Sequence, residues 1–487
     1  NWGFGESNLN YREREYDIAV AYHADMNFTM IRNWVGQIGD KEFYEACDRH
    51  GIMVWQDFWL ANPVDGPNPY YTEMFNANAC DYLKRIRNHP SIGIYVGRNE
   101  GNPPAGIDDY LRGLVFREHP GLYYISNSAM GVVSGGGPYR ALSPKSYFQS
   151  YGHDKFHSER GMPNVMNYES MLLTFGTDKI EPVNTSETPN PVYGLHDYTL
   201  GGGKGSSAQA ASSFNDMIEK AFGRPRDAKQ FAEWAQWINY DGYRAIFEGR
   251  SEHRRGMLLW MSHSAWPSMV WQTYDYYFDP NAAYFGCKKA SEPLHIQWNP
   301  LRDDIEVVNY HAFDRTGLTA TASLFNQDGT LQWTRETKLD IKEDQTVACF
   351  PLEQPETLSD TYFIKLSLTD SDGKQLSDNF YWRGKEDGNY KSLLQLPKVS
   401  VCKNVTVKKT GKEWLIRAVL KNEARTPALM LRLKVAGEKS GRMLLPVFYS
   451  DNYFSLLPGE VKEVDIRLYD ADTYGEKPVL EVLGFNL

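Results

Sequence analysis

The stretch "HPSIGIYVGRNEG" (residues 89–101) brings three strongly polar side chains to the end of an apolar run. The run is partly β-branched and is typical of a buried strand that stops at Gly97, where Arg98, Asn99 and Glu100 follow at once. A turn into a solvated loop explains such a stretch when it occurs once. Its meaning depends on whether other strands of the chain end in the same way.

Strand-like and helix-like segments alternate from about residue 27 to residue 290. Besides 89–101, the strand candidates are 27–34, 52–59, 122–129, a weaker one at 145–151, 155–161 and 256–263. Continuous apolar strands that are each followed by a helix favour a parallel sheet buried on both faces. We therefore predict a (β/α)8 TIM barrel whose first strand lies upstream of Asn1. A doubly wound sheet is the alternative, disfavoured because no Gly-rich phosphate turn follows the first strands.

The sequence pattern changes after about residue 300. Short alternating strands separated by "DG", "TG" and "PGE" turns replace the helical segments, as is typical of β-sandwiches. The predicted architecture is multidomain, with α/β and all-β parts. It consists of a barrel over 1–299, truncated at its N-terminus, and two immunoglobulin-like β-sandwiches over 300–388 and 389–487.

Composition excludes several classes of protein. A net charge of -10, without clustered Lys and Arg, argues against nucleic acid as a partner. The five cysteines are scattered and form no CxxC pair, which argues against a disulfide scaffold or a zinc site. No apolar run approaches the about 20 residues of a membrane span.

The beginning and two short motifs of the chain bear on its origin and its ligands. The chain starts with "NWGFGES", without Met or signal peptide, so we expect a piece of a longer protein, itself periplasmic or secreted. "GGGKGSS" (201–207) lacks the order of a phosphate loop and is predicted to be a flexible loop. His153 and His157 lie on a strand-like segment and are not predicted to bind a metal.

The ends of the predicted strands carry a set of polar and aromatic side chains. In a barrel the C-terminal strand ends converge on one face, where active sites lie. The side chains found there are Arg32, Trp34, Gln56, Asp57, Arg98, Asn99, Glu100, His157, Glu159, Trp260 and His263.

Two of these strand-end residues suggest a reaction. Two carboxylates flanking a glycosidic bond are what acetal hydrolysis needs, and Glu100 and Glu159 are the candidates. Arg32, on a neighbouring strand, is placed to keep one of them charged.

Several ordered segments resemble glycoside hydrolase family 2. "NHPSIGIYVGRNE" is similar to the acid/base segment of that family, and "KFHSERGMP" to its nucleophile segment. "GIMVWQDFW" resembles its third barrel strand. The long segment from "MLLWMSHSAWP" to "LHIQWN", and "LLPVFYSDNYFSLLPGE", resemble the exo-β-D-glucosaminidase and β-mannosidase branch. The similarity covers nearly the whole chain.

The resemblance implies roles for individual residues. Glu100 corresponds to the general acid/base, Glu159 to the nucleophile of a retaining mechanism, and Asn99 to the partner of the sugar 2-substituent. Arg32 corresponds to a support for the nucleophile and Trp260 to the pocket floor. Substrate contacts are also expected from four further side chains: Trp34, Asp57, Arg98 and His263. Arg98 stands where many relatives have a small or amide residue, which suggests a reshaped pocket beside the acid.

The resemblance leaves the exact substrate open. It implies an oligosaccharide or glycoconjugate with a terminal β-mannoside or β-D-glucosaminide, cleaved without metal or cofactor. The alternatives are a family 2 hydrolase acting on a β-galactoside, a β-glucuronide or, as a glycoprotein endo-β-mannosidase, a glycoprotein, and a non-catalytic carbohydrate-binding or scaffold protein on a decayed barrel. Members of the family carry a sugar-binding domain and a sandwich ahead of the barrel, and both are expected to be missing here.

Overall fold

A computed structural model describes most of the chain. The described residues are 1–2, 11–64, 66–151, 154–185, 187–188, 190–196, 206–253, 255–264 and 266–487, with side chains described from 212 onward in the helix that begins at 206. His153 and residues 201–205 of "GGGKGSS" lie outside this part.

The described helices all precede residue 291, in the region predicted as the barrel. They are α1 (Glu13–Asp25), α2 (Lys41–His50), α3 (Thr72–Ile86), α4 (Ala105–Glu118), α5 (Pro144–Gln149), α6 (Tyr168–Phe175), α7 (Pro191–Leu195), α8 (Ser206–Phe222), α9 (Ala228–Glu248) and α10 (Ala282–Ala290).

The strands fall into parallel ones before residue 260 and antiparallel ones after residue 293. The parallel strands are β1 (Met30–Asn33), β2 (Met53–Asp57), β3 (Ile92–Arg98), β4 (Tyr123–Asn127), β5 (Val133–Ser134), β6 (Phe156–Arg160) and β7 (Met257–Leu259). The antiparallel strands are β8 (Leu294–Asn299), β9 (Asp304–Asn309), β10 (Arg315–Asn326), β11 (Leu331–Ile341), β12 (Gln345–Pro351), β13 (Thr361–Thr369), β14 (Gln375–Gly384), β15 (Val401–Thr410), β16 (Glu413–Asn422), β17 (Ala428–Gly437), β18 (Val447–Tyr449), β19 (Phe454–Leu456), β20 (Val461–Tyr469) and β21 (Pro478–Leu483).

The parallel strands form a barrel-like domain from two sheets, ordered β1-β2-β3-β4 and β5-β6-β7. Asn33 pairs with Gln56 across β1 and β2. Asn1 and Trp2 lie between β1 and β7. Trp2 bridges to Asn33 in parallel fashion, and the Asn1 carbonyl accepts from the backbone N–H of Ser262. The predicted fold class is confirmed. Asn1 and Trp2 lie beside β1, at the position where the first barrel strand was predicted.

One predicted strand is wrong. Residues 145–151 were expected as a strand, but Pro144–Gln149 is helix α5. Ser143 caps this helix by accepting from the backbone N–H of Ser146, and Pro144 stands in its first turn, where a missing N–H costs nothing. The strand of this part of the barrel is the two-residue β5, which is too short for its apolar pattern to be recognised.

Each sandwich packs two antiparallel sheets. The first combines β11-β10-β13-β14 with β12-β9-β8, and the second combines β15-β16-β20-β18 with β19-β17-β21. Strand β8 pairs with β9 along its whole length, so the first sandwich includes Leu294–Asn299. The boundary at 299/300 stays a prediction; β8 lies before it and pairs with β9 beyond it.

The two sandwiches join the barrel through different sets of contacts. The first has an apolar core of its own and meets α9 through buried ion pairs such as Arg383–Asp241 at 3.0 Å, and through Trp382, whose ring lies 4.7 Å from that of Trp237. The second shares one continuous apolar core with the barrel, in which Phe485 packs 5.0 Å from Trp237 and 5.6 Å from Phe222 between ring centroids. The barrel and the second sandwich are therefore one packed body.

Among the helices that the structure describes, none is both long and apolar enough to cross a bilayer.

Candidate active site

Arg32 is the centre of a polar cluster at the C-terminal ends of the parallel strands. It is the penultimate residue of β1, is 0% exposed and uses all three of its nitrogens. Nε donates to Asp57 Oδ2 at 2.9 Å, Nη1 to Glu159 Oε1 at 2.7 Å, and Nη2 to Asn99 Oδ1 at 2.8 Å. Burial opposes the charge of Arg32, but Asp57 and Glu159 outweigh it and raise the pKa of the guanidinium. One cation thus gathers the ends of four strands.

Glu159 receives a donor on each carboxyl oxygen. Arg32 donates to Oε1, and the hydroxyl of Tyr139 donates to Oε2 at 2.5 Å. Burial, the charge of Glu159 and the hydrogen bond to it raise the pKa of Tyr139 far above its usual value, with a further contribution from the charge of Glu100. Tyr139 therefore remains a hydroxyl donor at any physiological pH, and together with Arg32 it fixes the orientation of the Glu159 carboxyl group.

Asn99 and Glu100 follow β3 in a strained turn. Glu100 has a φ of +46°, a left-handed conformation that costs a non-glycine residue on the order of 1 kcal/mol and recurs at functional sites. Ser128, after β4, accepts from the Glu100 backbone N–H at 3.0 Å and donates to Asn99 Oδ1 at 3.2 Å. Because Oδ1 of Asn99 receives both Ser128 and Arg32, its amide nitrogen is turned away from them.

Aromatic rings stand beside the carboxylates. The Trp260 ring lies 5.1 Å from that of Trp34, 6.2 Å from that of Trp271 and 6.4 Å from that of Tyr139, measured between centroids. Tilted indoles of this kind offer flat apolar faces to a ligand. Tyr139 belongs to both the aromatic and the carboxylate groups, so the two lie side by side.

Two glycines allow the strand ends to come this close. A Cβ at Gly97 would collide with the hydroxyl of Tyr124, and a Cβ at Gly161 would collide with the backbone oxygen of Trp260. Each glycine adjoins a key segment, since Gly97 lies three residues before Glu100 and Gly161 two residues after Glu159. The apolar run of β3 stops at Gly97 because Tyr124 of the neighbouring strand β4 fills the space that a side chain would need.

Three predicted substrate-contacting residues are placed behind the cluster. Asp57 is fully buried, and its oxygens accept from Arg32, Trp55 Nε1 and the backbone N–H of Val35. His263 is 1% exposed and packs edge-on against Trp2 at 4.8 Å, where burial lowers its pKa well below the usual value. Neither is positioned to touch a ligand.

Arg98, the third, points towards the β2–α3 loop. Its Nε donates to the Ala61 carbonyl, its Nη1 to Asn68 and its Nη2 to the Gly66 carbonyl. Asn99, Glu100, Glu159, Arg32, Trp34 and Trp260 are the predicted residues that the structure brings together.

Sequence reasoning missed three members of the site. Tyr139 lies in the loop after β5, Ser128 follows β4 by one residue, and the Asn1 side chain accepts from Arg32 at 3.2 Å. Ser128 could have been found, since it lies at a predicted strand end. Nothing in the irregular stretch "SGGGPYRAL" identified Tyr139.

The arrangement has the chemistry of a carboxylate pair. Glu159 is buried and held by a donor on each carboxyl oxygen, whereas Glu100 is half-buried. The charges of both glutamates contribute to the raised pKa of Tyr139. A carboxyl group fixed in position, together with a second and more accessible one, suits nucleophilic attack by one and proton transfer by the other.

The chain is similar to several known proteins. The exo-β-D-glucosaminidase Ig-fold domain matches residues 379–487. A mannosylglycoprotein endo-β-mannosidase of Lilium longiflorum is 26% identical over 100% of this chain and 62% of its own length. An exo-β-D-glucosaminidase of Streptomyces avermitilis is 28% identical over 96% of this chain and 56% of its own length.

Solved structures show the same fold. The crystal structure of an Amycolatopsis orientalis exo-chitosanase superimposes with a TM-score of 0.88 at 24% identity, over 98% of this chain and 61% of that chain. A β-D-mannosidase from Dictyoglomus thermophilum gives 0.77 at 20% identity, over 100% of this chain and 60% of that one.

The chain spans between half and two-thirds of the length of these relatives, all of which are named as enzymes that cleave sugar polymers or glycosides. The family model, the curated relatives and the shared fold together confirm the resemblance of this chain to the exo-β-D-glucosaminidase and β-mannosidase branch of glycoside hydrolase family 2.

Proposed function

We propose that the protein containing this chain is a retaining β-glycosidase that removes a terminal β-linked sugar by double displacement. The observation that carries the proposal is the pair of donors on Glu159, with Arg32 on one carboxyl oxygen and Tyr139 on the other. A carboxylate held in this way is oriented to attack.

The reaction follows from these two environments. Glu159 attacks the anomeric carbon while Glu100 gives its proton to the leaving oxygen, so the glycosidic bond breaks and a glycosyl ester forms. Water then attacks the same carbon, Glu100 takes a proton from that water, and the ester bond to Glu159 breaks. The sugar leaves with its original β configuration, and both carboxyl groups return to their starting states.

Asn99 favours a sugar with a neutral 2-hydroxyl. Its Oδ1 is occupied by Arg32 and Ser128, so the amide N–H groups are what it can offer a ligand. A hydroxyl can accept such a hydrogen bond, whereas a protonated amine has no lone pair to accept with. This favours a sugar with a 2-hydroxyl, such as a β-mannoside, over a glucosaminide whose amine is protonated.

A β-D-glucosaminide is the second candidate. The domain model matched at 379–487 and the Streptomyces relative both bear the name of that activity. If the amine enters unprotonated, it can accept from Asn99, and turnover would then rise with pH as the amine loses its proton.

The test is a substrate panel applied to the complete protein and to three variants. Aryl β-mannoside, β-glucosaminide, β-galactoside and β-glucuronide are compared by kcat/KM, and the first anomer released is identified by proton NMR. We expect turnover of the mannoside with release of the β anomer. Sugar binding without hydrolysis, or release of the α anomer, would contradict the proposal.

The variants separate the two carboxyl roles. We expect Glu159→Ala to abolish turnover of every substrate. Glu100→Ala is expected to slow the hydrolysis of substrates with poor leaving groups. It is expected to keep its activity on dinitrophenyl glycosides, because dinitrophenolate leaves without a proton. Glu73→Gln, at an exposed carboxylate of α3, is the matched control and is expected to behave as wild type. Full activity in both active-site variants would remove the assignment.

A further inference from the structure

Arg98 fixes a segment of the loop between β2 and α3. All three of its nitrogens donate to this segment: Nε to the Ala61 carbonyl at 2.7 Å, Nη1 to Asn68 Oδ1 at 2.7 Å, and Nη2 to the Gly66 carbonyl at 3.3 Å. Arg98 is 3% exposed, and burial lowers its pKa. A desolvated guanidinium that donates to two backbone carbonyls and one side-chain amide holds these groups at defined positions.

The same loop packs against the segment that carries Glu100. The backbone N–H of Asn99 donates to the Leu60 carbonyl at 2.9 Å. A Cβ at Gly101 would lie only 3.0 Å from Cδ of Pro63, so the loop also contacts the residue that follows Glu100. Residues 60–64 and 66–68, which we call the Arg98 loop, therefore lie directly beside Glu100.

The position of the Arg98 loop relates it to the leaving group. In the proposed function Glu100 gives its proton to the leaving oxygen, so the departing group lies on the Glu100 side of the bond. The Arg98 loop is the structure that borders that side. Glu159, Arg32 and Trp260 lie on the side of the sugar that is transferred.

Two exposed tyrosines follow the Arg98 loop. Tyr70 is 90% exposed and Tyr71 is 72% exposed, immediately before α3. Exposed aromatic faces in the residues that directly follow this loop are suited to stacking on the C–H face of a sugar ring.

We propose that Arg98 is a positioning residue for the leaving-group subsite, and that this subsite takes a second sugar ring of an oligosaccharide, which stacks on Tyr70 or Tyr71. This inference rests on the proposed function and deepens it. Arg98 acts through the loop and does not touch the transferred sugar.

The experiment compares two substrates that share the transferred sugar. One is the 2,4-dinitrophenyl glycoside, whose small leaving group needs neither a proton nor a sugar subsite. The other is the β-1,4-linked disaccharide. We expect Arg98→Gln to lower kcat/KM for the disaccharide at least tenfold and to leave that for the dinitrophenyl glycoside within threefold of wild type.

Further variants keep the test decisive if Arg98→Gln folds poorly. Asn68→Ala removes one of the partners of Arg98 at an exposed position. It is expected to lower the ratio of kcat/KM for the disaccharide to that for the dinitrophenyl glycoside, as Arg98→Gln does, but by a smaller factor. Tyr70→Ala combined with Tyr71→Ala is expected to raise KM for the disaccharide alone. Arg112→Gln, at an exposed arginine of α4, is the control and is expected to leave both substrates unchanged.

Each failure has a distinct signature. Equal losses on both substrates would show that Arg98 is merely structural, and an unchanged ratio in Arg98→Gln and Asn68→Ala would overturn its positioning role. An unchanged disaccharide KM in the double tyrosine variant would overturn the stacked sugar ring. Absence of turnover of either substrate by the wild-type protein would instead reject the proposed function, and the inference with it.

Discussion

Tyr139 is the residue whose contribution to the site is easiest to isolate. Its hydroxyl donates to one oxygen of Glu159, and its ring lies beside Trp260, so removing the hydroxyl leaves the aromatic packing in place. Burial and the neighbouring carboxylates keep it protonated. It acts as a fixed donor throughout the pH range in which such an enzyme works.

Tyr139→Phe is expected to lower kcat/KM about 10- to 100-fold, because a hydrogen bond to a charged group contributes about 1.5–3 kcal/mol. Steady-state kinetics with an aryl glycoside would measure this. Tyr123→Phe, at an exposed tyrosine of β4, is the control and is expected to have no effect. A Tyr139→Phe protein that keeps activity within twofold would show that the hydroxyl is dispensable.

Residues at strand ends were predictable from the sequence, and those in loops were not. Arg32, Asn99 and Glu159 end or follow apolar runs, and the parallel topology brings such ends to one face whatever lies between them. Asp57 and Arg98 also end strands, but Asp57 accepts from Arg32 and Trp55 behind the cluster, and Arg98 donates to the loop between β2 and α3. Alternation along a strand predicts the face of the sheet from which each side chain projects. The partner of a long side chain depends on loops, whose path the sequence does not specify.

At the level of elements, the junction of β6 and β7 controls the position of Glu159. Gly161 lies where the two strands converge, and its missing Cβ leaves room for the Trp260 carbonyl. Arg160 and Leu259 are paired across the same junction. A side chain at 161 would have to push the strand ends apart, because backbone cannot rotate away.

Gly161→Ala is expected to destabilise the protein by about 3 kcal/mol and to reduce activity, since both Glu159 and Trp260 would move. Gly106→Ala is the matched control in α4, where an added Cβ meets nothing within 4 Å. That variant is expected to be neutral or to stabilise by up to about 1 kcal/mol. Urea unfolding of both variants would measure the difference, and equal stabilities would contradict the steric argument.

For the whole molecule, the second sandwich reaches the loops around the site through Arg432. This arginine of β17 donates to Glu169 of α6 at 2.7 Å and to Asp279 at 3.4 Å. Burial opposes ionisation of Glu169, but Arg432 outweighs it and lowers the pKa to about 2. Tyr453 adds a hydrogen bond to Asn167 at 2.7 Å. The second sandwich thus anchors the segments that follow β6 and β7.

Arg432→Met is expected to cost about 2–3 kcal/mol at pH 7, because it leaves the half-buried Glu169 carboxylate without its main partner. The pKa of Glu169 falls from 4.5 to about 2 on folding, so the contribution is complete above pH 4.5 and is lost as the pH falls towards 2. Thermal unfolding at pH 7, 5 and 3 would measure the difference in stability between wild type and variant. We expect this gap to narrow only at the lowest pH.

The control for that comparison is Arg417→Met, whose ion pair with Glu463 lies in solvent. No measurable change is expected, because exposed pairs contribute little. A constant gap from pH 7 to pH 3 for Arg432→Met would show that the lost packing of the side chain, and not its charge, accounts for the effect.

The contacts between each sandwich and the barrel decide which parts of the molecule can be exchanged. A chimera that takes its first sandwich from a relative has to reproduce the matched charges along α9, such as Asp241 with Arg383, and the fit of Trp382 against Trp237. A chimera that exchanges the second sandwich has to recreate the packed rings around Phe485, which include the same Trp237. Recombination would therefore be tolerated at either border only where the new partner keeps the shape of the rings that surround Trp237.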